Sequence, residues 1–122
     1  MASLSEFGIS PKRKIDKSSH YVMASLSQQI ISTEDVRVCT FELEPFEEGE
    51  LHYHSEVIEH LVALTGSIVV YIEGERKQPL GLGELFEIPV GEVHQVINVG
   101  ETSAKYLLIQ GTGRYDFNRV LR

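Results

Sequence analysis

The sequence predicts an all-β chain, and three observations carry that prediction. Apolar residues recur mostly with a period of two, short strand-like runs follow one another at regular spacing, and glycine and proline stand between them. A period of two puts alternate side chains on opposite faces of a strand. Many short strands punctuated by turn residues argue for an antiparallel sandwich or a small barrel. A closed barrel leaves no free strand edge and encloses a pocket, so function would come from the side chains that point inward.

The elements are read in order. Residues 1–30 read as an N-terminal arm or edge strands, 31–113 as the barrel and 114–122 as a C-terminal tail, all within a single domain. "VRVCTFEL" (36–43) alternates Val36, Val38 and Thr40 with Arg37, Cys39 and Phe41, as a two-faced strand does. "GSIVVYIEGERKQPL" reads as a strand, a turn at "EGE" and a returning strand that Pro79 confines to a sheet edge. "ELFEIPVGEVHQVIN" reads as two strands joined by a turn at Pro89-Val90-Gly91, and "SAKYLLIQ" as a further strand. The one helix candidate is short and lies in the tail, "RYDFNRVLR". The N-terminal segment and the tail are expected to cap the barrel or to build a dimer interface.

Length and charge narrow the classes of function. At 122 residues the chain suits one domain with a real core. Its single cysteine, Cys39, makes no internal disulfide, which fits a reducing cytosol. "MASLSEFGISPKRK" lacks the apolar run of a secretory signal. The longest apolar stretch, "HLVALTGSIVVYI", is broken by Thr65, Gly66 and Ser67 and falls short of the roughly 20 residues a membrane helix needs. A soluble, cytoplasmic protein is expected. The formal net charge of −7 argues against nucleic acid as a partner. "PKRKIDK" reads as a solvated arm, and "ELEPFEEGE" as a solvated turn without the alternating ligands of a calcium loop.

Chemistry concentrates in "HYHSEVIEH", residues 52–60. His52 and His54 are two apart and share a strand face. Glu59 would fall on the wrong face of a straight strand, but a bend around Ser55–Glu56 would bring it back beside them. His94 opens the strand "HQVIN" just after a turn whose Pro89 and Gly91 suit a fixed start. Three imidazoles and a carboxylate form a mixed nitrogen and oxygen set suited to a first-row metal such as iron, manganese, nickel, copper or zinc. With a divalent ion such a shell carries a net charge of about +1, and a six-coordinate ion would keep two open positions.

These residues sit in two motifs that resemble those of the cupin family. The first reads His52-Tyr53-His54, four residues, Glu59, six residues, Gly66; the second reads Gly83, "ELFEI", Pro89-Val90-Gly91, "EV", His94, "QVI", Asn98. One departure stands in the first motif, where Phe46 occupies the position of the family's leading glycine and the nearest glycine is Gly49. The resemblance implies a double-stranded β-helix (jelly-roll) barrel. It also implies one divalent metal near the barrel mouth, held by His52, His54, Glu59 and His94, and a dimer as the common assembly.

Other residues are weighed on parity alone. Arg37, Cys39, Tyr106 and Gln110 are candidates to line the substrate pocket, although Cys39 also reads as a small core residue and Tyr106 as core filler. His60 is expected to face away from the site, and His20 has no identifiable partner. Phe86 and Ile88 read as core wall, and Gly66, Gly83, Gly91 and Asn98 as turn residues. The resulting expectation is a metal-dependent enzyme on a small polar, oxygen-bearing molecule. The resemblance to cupins with three histidines and a glutamate implies dioxygenase chemistry first and isomerase or lyase chemistry second, with Glu59 as ligand and candidate base. The alternative is a non-catalytic binding or sensing barrel with a structural metal.

Overall fold

The computed structural model describes residues 14–16, 21–23, 26–75 and 77–121. Twelve strands and no helix occur among them. They are β1 (Lys14–Asp16), β2 (Tyr21–Met23), β3 (Leu26–Ser32), β4 (Val36–Leu43), β5 (His52–Tyr53) and β6 (Glu59–Thr65), followed by β7 (Ile68–Ile72), β8 (Gln78–Leu80), β9 (Leu85–Ile88), β10 (His94–Asn98), β11 (Ala104–Gly111) and β12 (Asn118–Arg119). No helix among the described residues is long and apolar enough to cross a membrane. His20 and most of the basic cluster lie outside the described residues.

Apart from a small β1-β2 ladder, the strands form two five-stranded sheets, ordered β3-β4-β11-β6-β9 and β12-β5-β10-β7-β8. Every pairing within the sheets is antiparallel. β8 carries Pro79 and lies at a sheet edge, where a residue without an N–H does least harm. The tail differs from the helical expectation. Asn118 and Arg119 pair with Tyr53 and His52, extending the second sheet. Tyr115 and Phe117 alternate with Asp116 and Asn118, a period of two that suits an extended chain better than a helix turn.

The core lies between the sheets. Leu61 and Ala63 of β6, Ile68 and Val70 of β7, Val96 of β10 and Leu108 of β11 belong to one buried cluster. β6, β7 and β11 expose the alternate row more, as the two-residue period requires. Two glycines fix the joints. Gly66 links β6 to β7 at φ 81°, where an added Cβ would stand 2.6 Å from the Ala104 Cβ. Gly91, at φ 80°, completes the turn before β10 and donates its N–H to the His54 carbonyl at 2.8 Å.

The inward rows are graded along the barrel. β6 begins at Glu59 and continues with Leu61 and Ala63; β10 begins at His94 and continues with Val96; β11 runs from Ala104 through Tyr106 and Leu108 to Gln110. The polar members gather at one end because the ladders pair Glu59 with Gln110 and His94 with His52. At the other end Asn98 ties loops together. Its Nδ2 donates to the Glu44 and Thr102 carbonyls at 3.0 and 2.9 Å, and its Oδ1 accepts from the Gly100 N–H at 2.9 Å.

Phe46 adopts φ 60°, the one non-glycine residue with positive φ among those described. The chain thus keeps the backbone that the first motif's leading glycine would take, and meets it with a side chain that is 63% exposed. A left-handed residue with a Cβ costs roughly 1–2 kcal/mol, while glycine's greater freedom when unfolded returns about 0.4–1 kcal/mol of that. Phe46→Gly is expected to raise stability by about 0.5–1 kcal/mol. A urea midpoint that stays level or falls in this variant would show that the Phe46 ring makes contacts worth more than the strain.

Candidate metal centre

β5 and the residue after it supply His52 and His54. The chain then bends at Ser55 and Glu56 before β6 begins with Glu59. That bend resets the strand parity and returns Glu59 to the inner face. It is held from outside, because Asp116 accepts from the Ser55 backbone N–H at 2.8 Å and from the Ser55 hydroxyl. His94 arrives from β10, directly opposite His52 in the ladder. One ligand atom from each of His52, His54, Glu59 and His94 lies within 4.8 Å of the others.

Glu59 is 2% exposed. Its Oε1 lies 2.8 Å from His94 Nε2, its Oε2 lies 2.8 Å from His54 Nε2, and Gln110 Nε2 donates to Oε2 at 2.6 Å. Burial alone would raise the carboxyl pKa, but His54 and His94 outweigh it and hold the group below the usual carboxylate range. Burial pushes the His54 imidazole down, and Glu59 and Asp116 beside it together leave it raised. His52 has no such direct partner; burial, then neighbouring His94, lowers it to about 4.

The imidazoles are oriented by backbone carbonyls. His52 Nδ1 pairs with the Glu50 carbonyl at 2.8 Å, His54 Nδ1 with Asp116 at 2.6 Å and His94 Nδ1 with Glu92 at 2.8 Å. A carbonyl only accepts, so each Nδ1 carries a proton, and in a neutral ring Nε2 then presents a lone pair; the His94 Nε2 contact with Glu59 Oε1 at 2.8 Å is a hydrogen bond only where that ring is charged. His54 Nε2 is buried and makes no hydrogen bond of acceptable geometry, although Glu59 Oε2 is close. A neutral imidazole has one N–H and cannot donate both to its carbonyl and to Glu59. With neutral rings, the three Nε2 atoms and the Glu59 oxygens converge as acceptors, a set that a cation would satisfy. Donors about 2.1 Å from one ion stand at most about 4.2 Å apart, so closing on a metal requires a shift of roughly half an ångström. The residues fit a first-row divalent ion in donor type, charge and orientation.

Beside the cluster is a cavity of about 170 Å³. Of the pocket candidates, Tyr106 and Gln110 line it. Cys39 is buried in the core cluster, where desolvation raises its thiol pKa. Arg37 stands 3.8 Å over the Tyr115 ring instead of lining the cavity. Phe86 and Ile88 belong to the core and its margin. His60 turns away from the cluster and meets Glu87 Oε1 at 3.2 Å.

Sequence reasoning missed the strap formed by Tyr115, Asp116 and Phe117. The Phe117 ring stacks on His52 at 4.4 Å between centroids, Tyr115 packs against His54, and the Asp116 carbonyl orients His54. The signal was the aromatic and polar alternation noted above, but the contact partners lie some sixty residues away and leave no local trace.

A two-sheet antiparallel barrel with three imidazoles and one carboxylate gathered at one end defines the class, a double-stranded β-helix protein with a candidate metal centre. Residues 39–110 match the sequence profile of the cupin domain, and the chain belongs to the cupin family. No curated protein matches it. Among solved structures it is similar to an uncharacterized conserved protein with a double-stranded beta-helix domain from Klebsiella pneumoniae, with TM-score 0.75 and 16% identity over 100% of this chain and 97% of that one. It is similar to an oxalate oxidase solved with the substrate analogue glycolate, with TM-score 0.68 and 22% identity over 80% of this chain and 55% of that one. The cupin domain of Schizosaccharomyces pombe Cnp3 aligns with TM-score 0.67 and 16% identity over 72% of this chain and 64% of that one.

The Asp116 clasp yields a test. Partners that orient metal-binding histidines are typically worth about 10–100-fold in metal affinity. Asp116→Ala keeps the main-chain carbonyl on His54 but frees the Ser55 bend, so metal binding is expected to weaken by less than that, about threefold, and Asp116→Asn, which still accepts one hydrogen bond, by less again. Competition against a chromophoric chelator measures both; equal affinity in all three proteins would show that the Ser55 clasp does not support the centre.

Proposed function

We propose that the protein is a metal-dependent cupin enzyme acting on a small oxygen-bearing molecule, with oxygenase or oxidase chemistry first and isomerase or lyase chemistry second. The observation that carries this reading is the convergence of three carbonyl-anchored imidazoles and a buried carboxylate at the wall of a small cavity. The oxalate oxidases among the structural neighbours lend it support through fold, although their low identity leaves the substrate open. His52, His54, Glu59 and His94 would hold the ion. A bound divalent metal would supply Lewis acidity, and with iron, manganese, nickel or copper also redox capacity.

The chain's own residues supply the rest. The carbonyls of Glu50, Glu92 and Asp116 keep three imidazole lone pairs aimed inward without rotamer search. Glu59 brings the one negative charge, and its two oxygens are held by His54, His94 and Gln110. The partners that hold Glu59 below the usual carboxylate range make it a weaker base while they are in place, so it serves first as a ligand and takes a proton only after leaving them. Phe117 and Tyr115 line the cavity and pack against His52 and His54, which limits how those rings can turn.

The deciding measurement is the metal content of the purified full chain beside a His52→Ala/His94→Ala double variant. Near-stoichiometric iron, manganese, nickel or copper that is absent from the variant supports the redox branch, and oxygen consumption with candidate substrates follows. Zinc directs the search to isomerase and lyase assays. A chain that neither carries metal nor takes it up on reconstitution would sink the proposal. Metal and ligand binding without product would replace it with the binding-module reading.

A further inference from the structure

Gln95 faces away from the candidate centre and yet bears on it. β10 turns His94 and Val96 into the barrel, so Gln95 between them points out. It lines a groove of about 530 Å³ on the outer surface and takes no part in lining the inner cavity. Gly49 and Glu50 line both, so this short segment is the wall between them. Gln95 grips that wall from outside, its Nε2 donating to the Gly49 carbonyl at 2.8 Å.

The wall leads directly to His52. Gly49, the glycine nearest to the motif position that Phe46 occupies, donates its N–H to the Val96 carbonyl at 2.9 Å. An added Cβ would stand 3.0 Å from that oxygen, so glycine lets the chain lie flush against β10. The Gln95 amide holds the next peptide, the planar unit made of the Gly49 carbonyl and the Glu50 N–H. Beyond it, the Leu51 carbonyl accepts from the Val120 N–H at 2.9 Å. Between these two anchored peptides stands the Glu50 carbonyl, which accepts from His52 Nδ1 at 2.8 Å. The Glu50 side chain also meets Arg119 at 3.1 Å, but that solvent-accessible pair adds little and leaves the main chain free to turn.

His52 depends on this carbonyl more than the other ligands depend on theirs. His54 and His94 each stand 2.8 Å from a Glu59 oxygen, and His52 has no such contact among the described residues. The Phe117 ring stacked on it fixes the plane of the imidazole. A half-turn within that plane exchanges Nε2 with Cε1 and leaves the stack unchanged. The carbonyl distinguishes the two settings, because a ring nitrogen can donate to it and a ring carbon makes no comparable bond.

We propose that Gln95 is a positioning residue for the candidate centre: through the Gly49–Glu50 peptide it holds the carbonyl that aims His52. Its consequence for metal rests on the metal-centre reading, while the positioning itself is measurable without a metal.

The first measurement uses the full metal-free chain, labelled with nitrogen-15, at a pH where the imidazoles are neutral. Two-bond proton–nitrogen spectra distinguish the two imidazole tautomers, and the His52 signals are assigned by their loss in His52→Ala. The wild-type His52 is expected as the Nδ1–H form. In Gln95→Leu, which removes the donor, His52 is expected to become a mixture of tautomers while His54 and His94 keep theirs. Gln95→Lys retains a donor and should restore the wild-type pattern. The second measurement is cobalt(II) affinity. Gln95→Leu is expected to weaken it about fivefold, less than the loss of a direct partner, in the wild-type chain and in His54→Ala alike. In His52→Ala the same change should cost less than about twofold. An unchanged His52 tautomer in Gln95→Leu would overturn the proposal, as would simultaneous change in all three histidines or equal weakening with and without His52. If Gln95→Leu does not fold, Gln95→Glu, the isostere without an N–H donor, takes its place under the same outcomes. If the chain or its His52→Ala variant binds no cobalt, the tautomers decide alone; a wild-type chain without cobalt removes the metal centre and leaves the positioning of His52 to that result.

Discussion

The buried carboxylate of Glu59 is the group on which the rest of the site depends. An isolated ionised carboxylate is not tolerated in a barrel interior, and it remains charged only where donors or cations surround it. Here Gln110 donates to it, and His54 and His94 bring Nε2 within 2.8 Å, so that charged rings or a shared cation would balance it. Those contacts follow from pairing register. Glu59 lies opposite Gln110, and His94 lies opposite His52. A slip of one residue in either ladder would turn the polar side chains outward and put their neighbours in the barrel. Register, buried charge and candidate chemistry are therefore one constraint seen at three scales.

Grading the inward rows from apolar to polar lets one small barrel perform two tasks. The apolar end supplies the driving force for closure, roughly 25 cal/mol for each Å² of apolar surface removed from water. The polar end is a cost that this burial must cover. Asn98, at the apolar end, is satisfied by backbone partners, so it stiffens the frame without offering chemistry. The reactive end has the opposite character. His54 Nε2 remains without a hydrogen bond there, which is the condition expected of an atom that could hold an ion.

Much of this was legible in the sequence because it is local. The alternation of residues 36–43 and the Pro-Val-Gly turn before His94 announced β4 and the start of β10. The offset of five between His54 and Glu59 announced a bend, and bends occur at Ser55 and Glu56. What could not be read is long-range. Parity put Arg37 and Cys39 on the inner face of β4, but parity cannot tell how deep a residue sits or what covers it. Cys39 lies in the core and Arg37 under the strap. The helix expected in "RYDFNRVLR" failed because the β5 edge offers hydrogen bonds that a short isolated helix cannot match.

The strap also joins folding to metal binding. Asp116 touches the centre twice, through its carbonyl on His54 and through its carboxylate on Ser55, while Phe117 lies flat against His52. Ordering these residues removes freedom from the tail, and the histidines gain fixed orientation in return. Coupling of this kind is reciprocal: whatever affinity the docked strap adds to the metal site, a bound metal must add to strap docking. Most of the metal-binding energy in a site that is incompletely formed without its ion appears as structural stability. The part of the chain that looked dispensable to the two motifs is thus the part whose order the ion would most directly control.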